Sequence, residues 1–165
     1  MADDIAPGGR LSHLDESGAA RMVDVGGKQV TRREAVAEAR VAMSRSTLEL
    51  IASGSLPKGD VFATARLAGI QAAKKASEII PLCHPLRLDG VAVDFEVDTA
   101  TSSIRVLSTV RATDRTGVEM EALTAAAAAA LTIYDMCKAV ERGVEVERLR
   151  LVRKSGGKSG TWERE

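Results

Sequence analysis

The longest helical pattern in the chain covers residues 113–143, and it limits the possible folds more than any other segment. Its middle is a run of alanines (residues 125–130), and alanine is the strongest helix former. Thr116 and Glu119 have the spacing of a capping box, and Gly143 is a residue type that commonly ends helices. Small side chains let neighbouring elements approach closely, so the pattern predicts one long helix that is buried along much of its length.

Charged residues occur only at the two ends of this predicted helix. Glu121 and Asp135 are fourteen positions apart, so they should point within roughly 40° of one another but lie roughly 21 Å apart along the axis. One small-molecule site cannot easily use both carboxylates from a single copy of the helix. Either they serve different sites, or two copies of the chain bring the head of one helix near the tail of another.

Charge and composition exclude several classes of protein. Lys plus Arg and Asp plus Glu both number 23, and aromatic residues make up only 2% of the chain, which argues against nucleic-acid binding. No apolar run approaches the length of a membrane span, and the N-terminus lacks a signal-peptide pattern. The two cysteines, Cys83 and Cys137, fit free thiols in a reducing cytoplasm. A cytoplasmic protein without nucleic-acid or membrane partners is therefore expected.

The remaining pattern predicts one domain and an α+β fold. Residues 1–10 are polar and glycine-rich and are expected to be disordered, whereas residues 11–165 form a single domain. The predicted elements, in chain order, are an edge strand 22–25, a helix from Thr31 to about Ser53, a helix 61–80 capped by Asp60, a hairpin of strands 88–98 and 104–112, the long helix, and a strand 146–153. This order favours a ferredoxin-like core: a small antiparallel sheet with long helices packed on one face.

Three segments carry candidate functional residues. Lys58 precedes a helix N-terminus, where anions are favoured, although a solvent-exposed loop lysine is the simpler interpretation. His84 is held between Pro81 and Pro85, which is unusual for an incidental histidine and favours proton transfer or phosphate contact. Cys83 and His84 provide too few ligands for a zinc site, so no metal site is predicted.

The glycine-rich segment 154–160 resembles the end of a P-loop but cannot be one. The first glycine of that motif would fall on Val152, and too few residues remain for the helix that should follow. Its two lysines and its backbone donors could still enclose a phosphate. A frayed C-terminus is almost equally compatible with the sequence.

Four segments together resemble the cyclic pyranopterin monophosphate synthases, the second enzymes of molybdenum-cofactor biosynthesis. They are MVDVGGKQVTRREA (22–35), KGDVFATARLAGIQAAKKASEIIPLCHPL (58–86), TGVEMEALTAAAAAALTIYDMCKAVERG (116–143) and KSGGKSG (154–160). The resemblance covers nearly the whole chain beyond residue 10. The plain alanine run is the clearest departure, and it bears on packing rather than on chemistry.

The resemblance implies a lyase that converts 3',8-cyclo-7,8-dihydroguanosine triphosphate into cyclic pyranopterin monophosphate and releases pyrophosphate. The catalytic residues that it implies are Asp135, Lys58, Lys138 and His84. The two lysines would act best as acids or bases if mutual proximity in a cleft lowered their pKa values. The substrate-binding residues that it implies are Leu82, Cys83, His84, Met120, Glu121, Glu119, Arg33, Lys28, Lys154 and Lys158.

The resemblance also implies a homo-oligomer, a hexamer formed as a trimer of dimers, with each site at a dimer interface. No resident cofactor is implied, and the sequence leaves open whether Mg²⁺ accompanies the triphosphate. A non-catalytic nucleotide- or phosphate-binding regulatory module is the alternative, because ferredoxin-like folds often serve that purpose. Acidic groups mixed with lysines in the same motifs favour an enzyme.

Overall fold

The structure, a computed structural model, describes residues 17–165 and, for the backbone alone, residues 5–6 and 10–11. Most of the segment 1–10, predicted to be disordered, therefore lies outside the described residues. The strands are β1 (Ile5–Ala6), β2 (Arg10–Leu11), β3 (Thr31–Ala42), β4 (Leu88–Asp98), β5 (Ser103–Asp114), β6 (Glu145–Ser155) and β7 (Trp162–Glu163). The helices are α1 (Arg45–Ala52), α2 (Val61–Lys74), α3 (Ala76–Ile79) and α4 (Glu119–Cys137).

Five of these strands form one antiparallel sheet in the order β4-β5-β3-β6-β7, while β1 pairs with β2 in a separate two-stranded sheet. Helices α2 and α4 pack side by side on one face of the larger sheet. The succession β3, helices, β4, β5, α4, β6 is that of a ferredoxin-like fold. The predicted fold class is confirmed, as are the hairpin, the final strand and the Asp60 cap, whose side chain accepts from the Ala63 N–H at 2.9 Å.

The helix predicted from Thr31 to Ser53 is wrong: its first half is the central strand β3. Ala35, Ala37, Ala39 and Val41 alternate along it and are at most 1% exposed beneath the helices. The intervening residues face the other side of the sheet, which is a period of two rather than 3.6. Alanine, glutamate and arginine favour helix locally, but pairing with β5 and β6 overrides that preference.

Both ends of the long helix also differ from the prediction. Helix α4 begins at Glu119 after Val118, which makes no side-chain capping bond, so the capping box at Thr116 is absent. It ends at Cys137 with Lys138 as its C-cap, well before Gly143. The predicted edge strand 22–25 has no strand structure either. Within the described residues, no helix is long and apolar enough to cross a membrane.

The alanine run of α4 allows an unusually close helix pair. A Cβ added at Gly69 of α2 would lie 2.9 Å from the carbonyl oxygen of Ala125 and 3.4 Å from the Cβ of Ala129, so only glycine fits there. On the sheet side, the buried Ser108 hydroxyl donates to the Ala122 carbonyl at 2.6 Å. These contacts fix the position of α4 relative to α2 and the sheet, and with it the residues at both ends of α4.

Candidate active site

Two lysines and an aspartate meet where the tail of α4 approaches the loop before α2. Lys58 Nζ donates to Asp135 Oδ2 at 3.0 Å and to the Asp135 backbone oxygen at 2.8 Å. Lys138 Nζ lies 2.5 Å from Asp135 Oδ1. We call these three residues the lysine–aspartate cluster. Each side chain keeps between 41% and 55% of its surface exposed, so an incoming ligand can reach all three.

The charges in this cluster stabilise one another. Hydrogen bonds from Lys138 and then Lys58 hold the pKa of Asp135 below its usual value, so the carboxylate stays ionised. The hydrogen bond to Asp135 raises the pKa of Lys138. The condition that mutual proximity lowers the pKa of both lysines is therefore not met for Lys138, because an acid sits between the two cations. The cluster can offer ammonium donors to phosphate and a carboxylate base to a substrate proton.

A second group of side chains surrounds the first turn of α4. Glu121 is only 2% exposed, and its Oε1 lies 3.4 Å from the thiol of Cys83. Glu119 Oε1 lies 3.0 Å from Lys154 Nζ on β6. We call these four residues the α4 head cluster. It joins the proline-bracketed segment, the head of α4 and the start of the glycine-rich C-terminal segment.

Arg33 lies at the same end of the sheet, beside the glycine-rich segment. Its Nε donates to the Asp114 carbonyl at 3.3 Å and its Nη2 to the Arg115 carbonyl at 3.1 Å, so the backbone before α4 orients the guanidinium. Gly157 has a φ of +72°, and a Cβ there would overlap the Arg33 guanidinium. The segment is therefore folded rather than frayed: Lys154 and Ser155 belong to β6, and β7 pairs back onto it.

The other predicted residues are less closely assembled. Leu82, His84 and Met120 are half-buried, and the Cys83 thiol lies 3.7 Å from the His84 carbonyl. Lys28 and Lys158 are exposed, and neither shares an ion pair with the two clusters among the described residues. The structure thus brings together Lys58, Asp135 and Lys138 at one end of α4, and Cys83, Glu119, Glu121 and Lys154 at the other.

Sequence reasoning missed Glu141 and Gly157, two residues that support these groups. The Glu141 carboxylate accepts from the backbone N–H of Ser44 at 3.0 Å and from its hydroxyl at 2.8 Å, which ties the chain after α4 to the N-terminus of α1. No local sequence pattern predicts a contact between residues 97 positions apart. The positive φ of Gly157, by contrast, could have been suspected from its glycine-rich surroundings.

Within the described residues, no group of three or more His, Cys, Asp or Glu side chains is arranged to hold a metal ion. The two clusters instead combine cations with carboxylates. Since both sit on α4, the helical rise separates Glu121 from Asp135 by roughly 21 Å.

The model of the MoaC family matches residues 22–157, which include every residue of both clusters. The chain belongs to the MoaC family. The resemblance found in the sequence is thereby confirmed. The match also includes β3 and the Arg33 position, which the sequence alone had assigned to a helix.

Several members of the MoaC family are closely similar to this chain over almost their whole length. It is 63% identical over 150 residues to the cyclic pyranopterin monophosphate synthase of Roseiflexus sp. (strain RS-1), covering 91% of this chain and 95% of that protein. The synthase of Pelotomaculum thermopropionicum is 61% identical over 154 residues, covering 93% and 91%. That of Brucella ovis is 58% identical over 154 residues, covering 93% of each.

Proposed function

We propose that this MoaC-family chain is a cyclic pyranopterin monophosphate synthase of molybdenum-cofactor biosynthesis. In this reaction 3',8-cyclo-7,8-dihydroguanosine triphosphate rearranges to the pyranopterin, a cyclic phosphate closes and pyrophosphate leaves. Identities of 58–63% to proteins that carry this name, over more than nine-tenths of the chain, support both the activity and the expectation of an enzyme. The observation that carries the proposal at the level of the site is the exposed lysine–aspartate cluster.

The lysine–aspartate cluster has the groups that the reaction needs. Ring opening and re-closure require proton transfers, and an ionised Asp135 between two ammonium groups can accept a proton while the lysines donate. Departure of pyrophosphate and closure of the cyclic phosphate both place negative charge on phosphate oxygens, which fixed cations stabilise. A module that only binds phosphate would have no need of a carboxylate between its two cations.

We assign triphosphate binding to the cations at the opposite end of α4. Arg33 is held by two backbone carbonyls, and Lys154 extends from β6 toward the first turn of α4. Lys28 and Lys158 would add long-range attraction from exposed positions. Mg²⁺, where it accompanies the triphosphate, is treated as part of the substrate. His84, Leu82 and Met120 would line the space between these cations and the reacting ring.

We further propose that each active site is shared between two chains. The two clusters lie roughly 21 Å apart on one helix, too far for one ring system, whereas an antiparallel pair of α4 helices would place head beside tail. Leu131 and Leu67 on the outer surfaces of α4 and α2 are each 62% exposed, which supports a partner on this face. The hexamer formed as a trimer of dimers remains a prediction, as does a cytoplasmic location, for which the two free thiols are the support.

The test is product analysis. Purified protein is incubated with the cyclised nucleotide, and the pyranopterin and pyrophosphate are measured in parallel. Formation of both in equal amounts supports the proposal. Binding without turnover, in a preparation whose fold is intact, would instead support the regulatory module.

A further inference from the structure

Glu121 is a buried acid that lacks the partner a buried carboxylate requires. Its side chain is 2% exposed, Oε1 faces the Cys83 thiol at 3.4 Å, and Oε2 is buried with no hydrogen-bond partner among the described residues. Buried polar atoms are almost always paired, so this orphan oxygen requires an explanation.

No cation among the described residues neutralises Glu121. Lys154, the lysine of the α4 head cluster, is paired with Glu119, and Glu119 itself is a second negative charge close to Glu121. Burying a lone carboxylate costs several kcal/mol, and a protein avoids this cost by protonating the group. Burial raises the pKa of Glu121, and the nearby Glu119 charge raises it further, against weaker opposing hydrogen bonds.

The Cys83 thiol is also protonated. Burial is the largest cause that raises the pKa of Cys83, to about 11, so at neutral pH the sulfur carries a proton to donate. The thiol lies between Glu121 Oε1 and the His84 carbonyl, which is 3.7 Å from the sulfur. The Cys83 N–H donates to the Ile80 carbonyl at 3.0 Å, which anchors the other end of this short segment.

We propose that Glu121 is a neutral carboxylic acid that fastens the Cys83–His84 segment to the head of α4, and that it acts on the reaction as a positioning residue for His84. Its role does not require a negative charge at the substrate. The effect on catalysis rests on the proposed function, whereas the neutral state of the side chain does not.

Infrared spectroscopy tests the neutral state without any turnover. The wild-type protein at pH 7 should show the carbonyl stretch of a protonated carboxyl group, and Glu121→Gln should abolish it. Glu119→Gln is the matched control, because Glu119 is ion-paired with Lys154 and its loss should leave the band in place. Should Glu121→Gln fail to fold, Cys83→Ser supplies the assignment, because a stronger hydroxyl donor must shift the band. Absence of a band at pH 7, or a band that neither substitution changes, overturns the proposal.

Steady-state kinetics tests the positioning role. Glu121→Ala loses the contact with Cys83 and should be almost inactive. Glu121→Gln keeps the shape and the neutral charge of the acid, so its kcat should exceed that of Glu121→Ala by about tenfold or more. Cys83→Ser should likewise be milder than Cys83→Ala. If Glu121→Gln is as impaired as Glu121→Ala, the negative charge itself is needed and the proposal is wrong. A wild-type protein that shows the band but makes no product would instead contradict the proposed function.

Discussion

Lys58 Nζ lies 3.0 Å from Asp135 Oδ2, although the two residues are 77 positions apart in the chain. The contact joins the loop before α2 to the tail of α4, two elements that the Gly69–Ala125 approach holds at close range. A rigid helix pair therefore sets the distance between an exposed cation and an exposed carboxylate. That is the arrangement expected of groups that must meet a substrate rather than stabilise the fold, since exposed ion pairs contribute little stability.

Asp135→Asn should lower kcat by about 10²- to 10⁴-fold, the range typical of a lost acid–base group. The amide keeps the shape of the side chain but cannot accept the substrate proton. Asp94→Asn, at an exposed position on β4, is the matched control and should be close to wild type. Melting temperatures of both variants should match the wild type, and near-normal turnover of Asp135→Asn would remove this residue from the mechanism.

Lys58→Ala and Lys138→Ala should each reduce kcat/KM severely, and the double variant should lose much less than the product of the two effects. Both lysines contact the same carboxylate, and groups that act as a unit are not additive. Lys74→Ala, at an exposed position near the end of α2, tests for general charge effects. Fully multiplicative losses would mean that the two lysines act independently.

The fold class was predictable because most elements carry local signals. Asp60 begins α2 as its sequence suggests, and the alternating hairpin is recovered as β4 and β5. Strand β3 was not predictable from propensity, because Ala35, Ala37 and Ala39 are good helix formers. They lie in a strand because β3 pairs with β5 on one side and with β6 on the other.

The residues of the candidate site could be predicted from the sequence, but the contacts between them could not. The resemblance supplied Asp135, Lys58 and Glu121, but no local pattern shows that Glu121 is buried against Cys83, 38 positions away. Ionisation states depend on burial and on neighbours brought in by the fold. For that reason neither the raised pKa of Lys138 nor the unpaired oxygen of Glu121 could be predicted from the sequence.

Gly157→Ala should weaken substrate binding by displacing Arg33. The new Cβ overlaps the guanidinium and also strains a backbone with a φ of +72°. Gly160→Ala is a matched control, since its φ of +69° imposes the same strain but nothing lies within 4 Å of the new Cβ. Both variants should lose about 1–2 kcal/mol of stability from the left-handed backbone, but only Gly157→Ala should raise KM. Equal KM values would show that Arg33 does not bind the triphosphate.

Glu38→Gln should destabilise the protein by about 1.5–3 kcal/mol at pH 7, the usual range for lost hydrogen bonds to charged groups. Glu38 is 4% exposed on the sheet face opposite the helices, where Arg105 and Arg150 each donate to it at 2.7 Å. Chemical denaturation curves measure the loss. Glu49→Gln, which removes an exposed i,i+4 pair with Arg45, should change stability by less than about 0.5 kcal/mol.

The same substitution should alter the acid sensitivity of the fold. Burial works to raise the pKa of Glu38, but the arginine hydrogen bonds outweigh it and hold the pKa below the usual 4.5. A carboxyl group with a lowered folded-state pKa stabilises the protein above its unfolded pKa, and that stability is lost as pH falls through the folded value. Glu38→Gln should therefore make the free energy of unfolding fall less steeply below pH 4.5. If that fall is as steep as in the wild type, other carboxylates control the acid sensitivity.

The shared active site can be tested by complementation. Inactive Glu121→Ala and inactive Asp135→Ala proteins are mixed under conditions that permit subunit exchange. If the head of one α4 and the tail of its partner's α4 form each site, a mixed dimer holds one site with both defects and one site with neither, so activity should reappear. Exchange is followed independently with two affinity tags.

A mixture of Asp135→Ala and Lys138→Ala is the matched control: both residues belong to the lysine–aspartate cluster of one chain, so no mixed dimer regains an intact site. If tagged mixed dimers form and the first mixture stays as inactive as its parents, each site is built within one chain, and the separation of Glu121 from Asp135 must be spanned by the nucleotide.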